Sequence, residues 1–271
     1  MLRALFGRLS SFAGSQNRCG NLGASPRLTD PVAVIGDLHG RDDLFMMMIE
    51  KLALHPDFAQ MRVVLVGDLI DRGPESAGVL RRAYALSANP APFRSFTVLL
   101  GNHERMALDF LRDPLENAPK WWAAGGDATL TSFDLSLPYN RQSASDAVNQ
   151  ILNLRDELSE RMGSEMVQWL RTLPLFWQDS GLFVAHAGAD PGLPLKDQNE
   201  AALLWGRYRQ APGPRQDGIW VAQGHLIQKE ARINHGRLLL DTGAWKTGRL
   251  SAVILSRDAP EIVEVSDAHL V

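Results

Sequence analysis

The sequence predicts an α/β fold in which two packed, mixed β-sheets are flanked by helices, with a helical cap inserted midway. Three observations carry this expectation. Five short apolar runs each end near a small residue and then a carboxylate, amide or imidazole. Stretches of helical period separate the first three runs, a βαβαβ order that implies right-handed parallel crossovers. The last part of the chain holds short strands and a tight turn, so the second half is antiparallel or mixed.

Val32-Ala33-Val34-Ile35 reads as a buried strand and leads into Gly36-Asp37-Leu38-His39-Gly40. From Arg41, Leu44, Phe45, Met48, Ile49 and Leu52 recur at helical spacing. Val63-Val64-Leu65-Val66 is the run around which the chain is organised, because Asp68, Asp71 and Arg72 crowd its tip after Gly67. Burying that much charge beside a core strand is costly unless the charges are paired or bind a metal. Pro74 is placed to open a helix from Glu75 towards Leu86. Ser95 to Leu100 is the third strand; Gly101-Asn102-His103-Glu104 follows, then a helix to Leu111.

Residues 112–180 are an excursion that the strand tips do not need. Trp121, Trp122, Gly125, Gly126, Thr129 and Leu130 form a tryptophan-glycine patch, expected to pack the cap onto the sheet rather than to stack on a substrate. Ala144 to Arg161 and Ser164 to Leu173 read as helices. Leu182-Phe183-Val184-Ala185 then leads into His186, and Ile219 to Gln223 into Gly224-His225. Ala231 to Asn234 and Arg237 to Leu240 flank His235-Gly236 as a hairpin, and Ser251 to Leu255 and Glu261 to Val265 add two strands.

If the five strands were adjacent in one sheet, their tips would bring together Asp37, His39, Asp68, Asn102, His186 and His225. Three neutral imidazoles, an amide oxygen and two carboxylates suit borderline divalent cations such as Mn²⁺, Fe²⁺ or Zn²⁺. Six ligands are too many for one open catalytic zinc and fit two metals that share a carboxylate.

Gly36-Asp37-Leu38-His39-Gly40, Gly67-Asp68-Leu69-Ile70-Asp71-Arg72-Gly73 and Gly101-Asn102-His103-Glu104 resemble, in order, the signature blocks of calcineurin-like metallophosphoesterases. The Asp-Arg-Gly and Asn-His-Glu forms are similar to the PPP-type serine/threonine phosphatases, especially their small bacterial and phage members. The resemblance implies the metallophosphoesterase fold and two divalent cations, manganese being expected. It implies that Asp37, His39 and Asp68 hold the first metal, and that Asp68 bridges to a second held also by Asn102, His186 and His225. It further implies direct attack of a metal-bridging hydroxide on a phosphate monoester of a protein serine or threonine.

In the same resemblance His103 is the general acid, its side chain directed away from the metals, with Asp71 holding it charged and in the right tautomer. Arg72 can fork onto the phosphate, and Arg207 in Leu203-Leu204-Trp205-Gly206-Arg207 resembles a second phosphate arginine, with Arg209 as its competitor. Glu104 and Asp241 are expected to support the loops. The alternative is a symmetrical dinucleoside polyphosphate hydrolase, or another small-molecule phosphate hydrolase. Diadenosine tetraphosphate hydrolases lack an aspartate like Asp71 and carry Asp where Glu104 stands. Leu226-Ile227 departs from the Thr-Pro that bacterial phosphatases more often carry after the last histidine.

Composition bounds the rest. A chain of 271 residues, 45% hydrophobic and without a dividing linker, fits one domain over 30–271. A net charge of −3 gives no footprint for nucleic acid. The single cysteine, Cys19, leaves no internal disulfide and suits a reducing, cytoplasmic setting. No apolar run approaches membrane-spanning length, so no stable membrane insertion is expected. Residues 1–29 carry Arg3, Arg8, Arg18 and Arg27 but no acid. Leu2, Leu5, Phe6, Leu9 and Phe12 share one helical face, and the expectation is a tail with a short amphipathic helix. The expected partner is a phosphorylated protein or a small phosphoester.

Overall fold

Ten strands and nine α-helices follow one another in the computed structural model, which describes residues 25–137, 143–209, 213–257 and 259–269. The apolar stripe of the expected tail lies outside the described residues. The first half runs β1 (Val32–Ile35), α1 (Asp42–Ala53), β2 (Arg62–Leu65), α2 (Ser76–Ala88), β3 (Ser95–Val98) and α3 (Asn102–Arg112). Four helices and an edge strand follow: α4 (Pro114–Ala123), α5 (Gly126–Ser132), α6 (Ala144–Met162), α7 (Ser164–Thr172) and β4 (Phe176–Asp179). The second half contains β5 (Leu182–Ala185), α8 (Glu200–Trp205), β6 (Trp220–Gln223), β7 (Arg232–Asn234) and β8 (Arg237–Leu239). The chain then forms α9 (Ala244–Thr247), β9 (Arg249–Leu255) and β10 (Glu261–Ser266).

The strands form two mixed sheets of five, ordered β10-β9-β1-β2-β3 and β4-β5-β6-β8-β7. In the first, β1, β2 and β3 are parallel, while β9 and β10 return antiparallel beside β1. In the second, β5, β6 and β8 are parallel and the edges β4 and β7 antiparallel. The five tips therefore do not share one sheet: three belong to the first and two to the second. They meet because the sheets stack with these edges at the same end.

The apolar runs explain the stacking. Val32, Val34, Val64, Val66 and Leu99 face Val184, Trp220, Ala222 and Leu238 between the sheets. The alternate residues Ala33, Ile35, Val63, Leu65 and Val98 face the other way, into the core formed with the helices. Strands buried on both faces read as continuous apolar runs, not as alternation. Each fully buried Val or Leu contributes about 1.5–3 kcal/mol relative to exposure. Leu28, ahead of β1, joins the inter-sheet core.

Helix ends are set locally. Asp42 and Asp43 occupy the first turn of α1 and Lys51 the last, matching the helix dipole. Asp113 caps α4, where Pro114 sits in the first turn without needing an N–H partner. Ser143 caps α6 through the Asp146 N–H at 3.1 Å, and Gly163 ends it at φ 80°. Among the described residues no helix is long and apolar enough to cross a membrane.

Candidate metal centre

Eight non-glycine residues among those described adopt positive φ, and five are at the strand tips: His39, Asp68, Asp71, Arg72 and His225. Such conformations persist only where the surroundings over-determine them. Glu104 is one such determinant. From the first turn of α3 its carboxylate accepts the N–H groups of Asp68, Leu69 and Gly101 at 2.9, 2.8 and 2.9 Å, and of Ile70 at 3.3 Å. This buried carboxylate shapes the β2 tip and ties it to the β3 tip.

Asp68 sits at the centre. Its Oδ2 lies 3.5 Å from His39 Nε2 and 3.4 Å from His186 Nε2, so the carboxylate faces donors carried by both sheets. Asn102 Oδ1 lies 2.7 Å from His186 Nε2 and 3.0 Å from His225 Nδ1. The remaining ring nitrogens are anchored on carbonyls: His39 Nδ1 on Ile70 O at 2.8 Å and His186 Nδ1 on Val66 O at 3.1 Å. A backbone acceptor of this kind fixes the tautomer that turns an Nε2 lone pair inward, as a metal-ligating histidine requires. Two overlapping clusters result, His39/Asp68/His103 and Asp68/His186/His225, sharing Asp68.

The electrostatics fit cations there. Burial pushes His39 down to about 3 and His186 down to about 4, leaving both as neutral imidazoles able to ligate. Burial, with Asp241 and Asp68 nearby, pushes the Asp37 carboxyl well above the usual range. Burial likewise pushes Glu104 up to about 7 and Asp241 up to about 6. Burial opposes ionisation of Asp68 too, but His186, His103 and His39 outweigh it and hold that carboxyl low. Four buried carboxyl groups around neutral imidazoles form a pocket short of positive charge, which divalent cations would supply.

Asp37 is in the pocket but in neither tight cluster; its Oδ2 accepts the His225 N–H at 2.9 Å. His103 differs more from expectation. Its Nδ1 donates to Asp71 Oδ2 at 2.6 Å, but its Nε2 faces the pocket, 3.9 Å from Asp68 Oδ2. The ring stands edge-on to His39 at 4.6 Å instead of pointing away from the metal side. Burial alone would lower the His103 pKa, yet the Asp68 and Asp71 carboxylates outweigh it and keep it raised.

Arg72 spans the mouth of the pocket. Its two terminal nitrogens lie 3.0 Å from His39 Nε2 and 3.0 Å from His103 Nε2, and its guanidinium lies over the exposed Trp245 at 5.6 Å. Arg207 is exposed just beyond α8, after Gly206, which stands against His225 and Ala187. Its side chain has no hydrogen-bond or ion-pair partner among the described residues. Arg209 is exposed as well, its N–H held by Asp190 at 2.7 Å. Asp241 is buried and accepts the Gly243 N–H at 2.8 Å.

Two residues of the tryptophan-glycine patch reach the site in a way the sequence does not signal. Trp121 Nε1 lies 2.9 and 3.1 Å from the two oxygens of Asp71, and Thr129 Oγ1 donates to Asp71 Oδ1 at 2.6 Å. The patch therefore does more than pack the cap onto the sheet.

Serine/threonine-protein phosphatase 2 of Escherichia coli is 29% identical over 231 residues, covering 80% of this chain and 89% of the relative. A symmetrical bis(5'-nucleosyl)-tetraphosphatase of Pseudomonas fluorescens is 29% identical over 170 residues, covering 62% of this chain. The chain spans only 45% of that relative's length. A cold-active protein-tyrosine phosphatase of Shewanella shares the fold, with a TM-score of 0.58 at 18% identity, over 88% of this chain and 80% of that one. Residues 30–238 match calcineurin-like phosphoesterase, and over that span of both sheets the chain belongs to the calcineurin-like phosphoesterase family.

Proposed function

We propose that the chain is a metal-dependent phosphomonoesterase acting on phosphoserine or phosphothreonine in proteins. The observation that carries this reading is the 2.6 Å pair between His103 Nδ1 and Asp71, with His103 Nε2 turned into the pocket. In this reading Asp37, His39 and Asp68 would hold one divalent cation, and Asp68, Asn102, His186 and His225 would hold another, with manganese as the expected metal. When bound, such a pair supplies an activated water and neutralises charge on the phosphoryl oxygens.

The chain's own residues do the rest. Arg72, joined by Arg207, holds the phosphate oxygens and orients the phosphorus; a guanidinium can do so bidentately. His103 gives its Nε2 proton to the ester oxygen as the P–O bond breaks. Asp71 keeps the Nδ1 proton in place and stabilises the imidazolium before that transfer. A serine alkoxide is a poor leaving group and needs this proton, whereas a nucleoside diphosphate leaves readily without one. A buried acid pair thus favours the monoester over the dinucleoside polyphosphate. The coverage of 89% of the protein phosphatase relative, against 45% of the tetraphosphatase, supports the same side. A cytoplasmic setting belongs to this reading and rests on the single cysteine.

The test is competition between substrates. Purified protein reconstituted with Mn²⁺ is expected to show a higher kcat/KM on phosphoserine and phosphothreonine peptides than on diadenosine tetraphosphate. The reverse order would assign the chain to the second class.

A further inference from the structure

Residues 121–129 of the cap grip the corner at Asp71 and Arg72 from one side. The indole N–H of the fully buried Trp121 is shared between both Asp71 oxygens, and the Thr129 hydroxyl donates to Oδ1. The Asp71 N–H returns to Thr129 Oγ1 at 2.9 Å, and the Arg72 N–H donates to Gly125 O at 3.1 Å. These contacts hold two consecutive left-handed non-glycine residues, at φ 72° and 70°.

The acceptor capacity of the Asp71 carboxylate is thereby committed. Oδ2 takes His103 and part of the indole N–H; Oδ1 takes Thr129 and the remainder. The terminal torsion of an aspartate is intrinsically broad. A carboxylate bound only to His103 would swing, and the imidazole would swing with it. Packing alone needs no such arrangement, since the ring of Trp121 already meets Phe110 at 5.0 Å.

We propose that Trp121 and Thr129 are positioning residues for the leaving-group proton: the cap fixes the Asp71 carboxylate and, through it, aims His103 Nε2 at the departing ester oxygen. The proposal rests on the reading of His103 as the acid. It makes the cap selective: its polar contacts matter for substrates that need a proton and hardly at all for those that do not.

The test compares turnover of a phosphoserine peptide and of p-nitrophenyl phosphate by the Mn²⁺-loaded full chain, with metal content measured for every variant. Trp121→Phe keeps the ring and removes the N–H; Thr129→Val removes the hydroxyl and Thr129→Ser restores it. Trp121→Phe and Thr129→Val are expected to lower kcat on phosphoserine about 10–100-fold, the scale of a hydrogen bond to a charged group and within the reach of general acid catalysis. Turnover of p-nitrophenyl phosphate and metal content stay near wild type, and Thr129→Ser recovers most of the loss. In a His103→Asn background, adding Trp121→Phe lowers phosphoserine turnover little further, because the group it aims is gone.

Equal losses on both substrates, or an undiminished effect in the His103→Asn background, would overturn the proposal and leave Trp121 as packing. If His103→Asn itself showed no leaving-group bias, the acid reading would fall first and take the proposal with it. Bias in His103→Asn with none in Trp121→Phe or Thr129→Val would remove the positioning role alone. Should Trp121→Phe fail to fold, the Thr129→Val and Thr129→Ser pair decides the question.

Discussion

Asp68 is where the two halves of the pocket meet, its carboxylate 3.5 Å from His39 and 3.4 Å from His186. Asp68→Asn keeps the shape and removes the charge. We expect metal content to fall from about two per chain, the stoichiometry of a two-metal site, and kcat to fall at least about 100-fold, since such sites supply several kcal/mol. Elemental analysis and turnover on a phosphopeptide check this; a variant with two metals and wild-type turnover would contradict it. At this scale the sequence was legible wherever a residue follows a strand and a small residue, as Asp37, Asp68 and Asn102 do. It was not legible for Trp121 and Thr129, which reach Asp71 across 50 and 58 positions through contacts that leave no local pattern. Nor did it set the direction of His103, whose ring is held by Asp71 across 32 positions.

The cap helices α4 and α5 act as one element because two glycines let them turn against the β2 loop. Gly125 has φ 104°, and a Cβ there would stand 2.9 Å from Arg72 Cγ. A Cβ on Gly126 would meet the Trp121 ring at 2.7 Å. Gly126→Ala must therefore displace the indole that holds Asp71. We expect it to destabilise by about 1–3 kcal/mol, the usual cost of overpacking, with a larger loss of turnover on phosphoserine than on p-nitrophenyl phosphate. Thermal melting and the two assays check this, and an unchanged melting temperature with unchanged turnover would contradict it. Elements with long buried runs or helical period, such as β1, β5, α1 and α6, were readable in advance. The edge strand β4 was not, because its residues alternate between exposed and half-buried and form no apolar run. Helices α8 and α9, of six and four residues, are too short to show a period.

For the whole molecule, the same apolar runs that made each strand recognisable concealed which sheet it joins. Continuous burial on both faces fits a central strand of either sheet, so the split of the tips into three and two could not be read from pattern. The split has a consequence. With Asp37, His39, Asp68 and Asn102 following strands of one sheet, and His186 and His225 following strands of the other, bound cations would tie the two sheets together. Mn²⁺ at about 100 times its dissociation constant is expected to stabilise the fold by about 2.7 kcal/mol, or about 5–10 °C in Tm at this chain length. Excess chelator should reverse the shift, and Asp68→Asn should show little of it; a Tm indifferent to metal would contradict this arrangement. The central claim, a phosphomonoesterase that protonates its leaving group, is tested most directly by His103→Asn. With both metals retained, the account predicts a loss of about 10²–10⁴-fold on phosphoserine, the span of general acid catalysis, and a far smaller loss on p-nitrophenyl phosphate. Equal losses on the two substrates, or the loss of a metal from the variant, would contradict it.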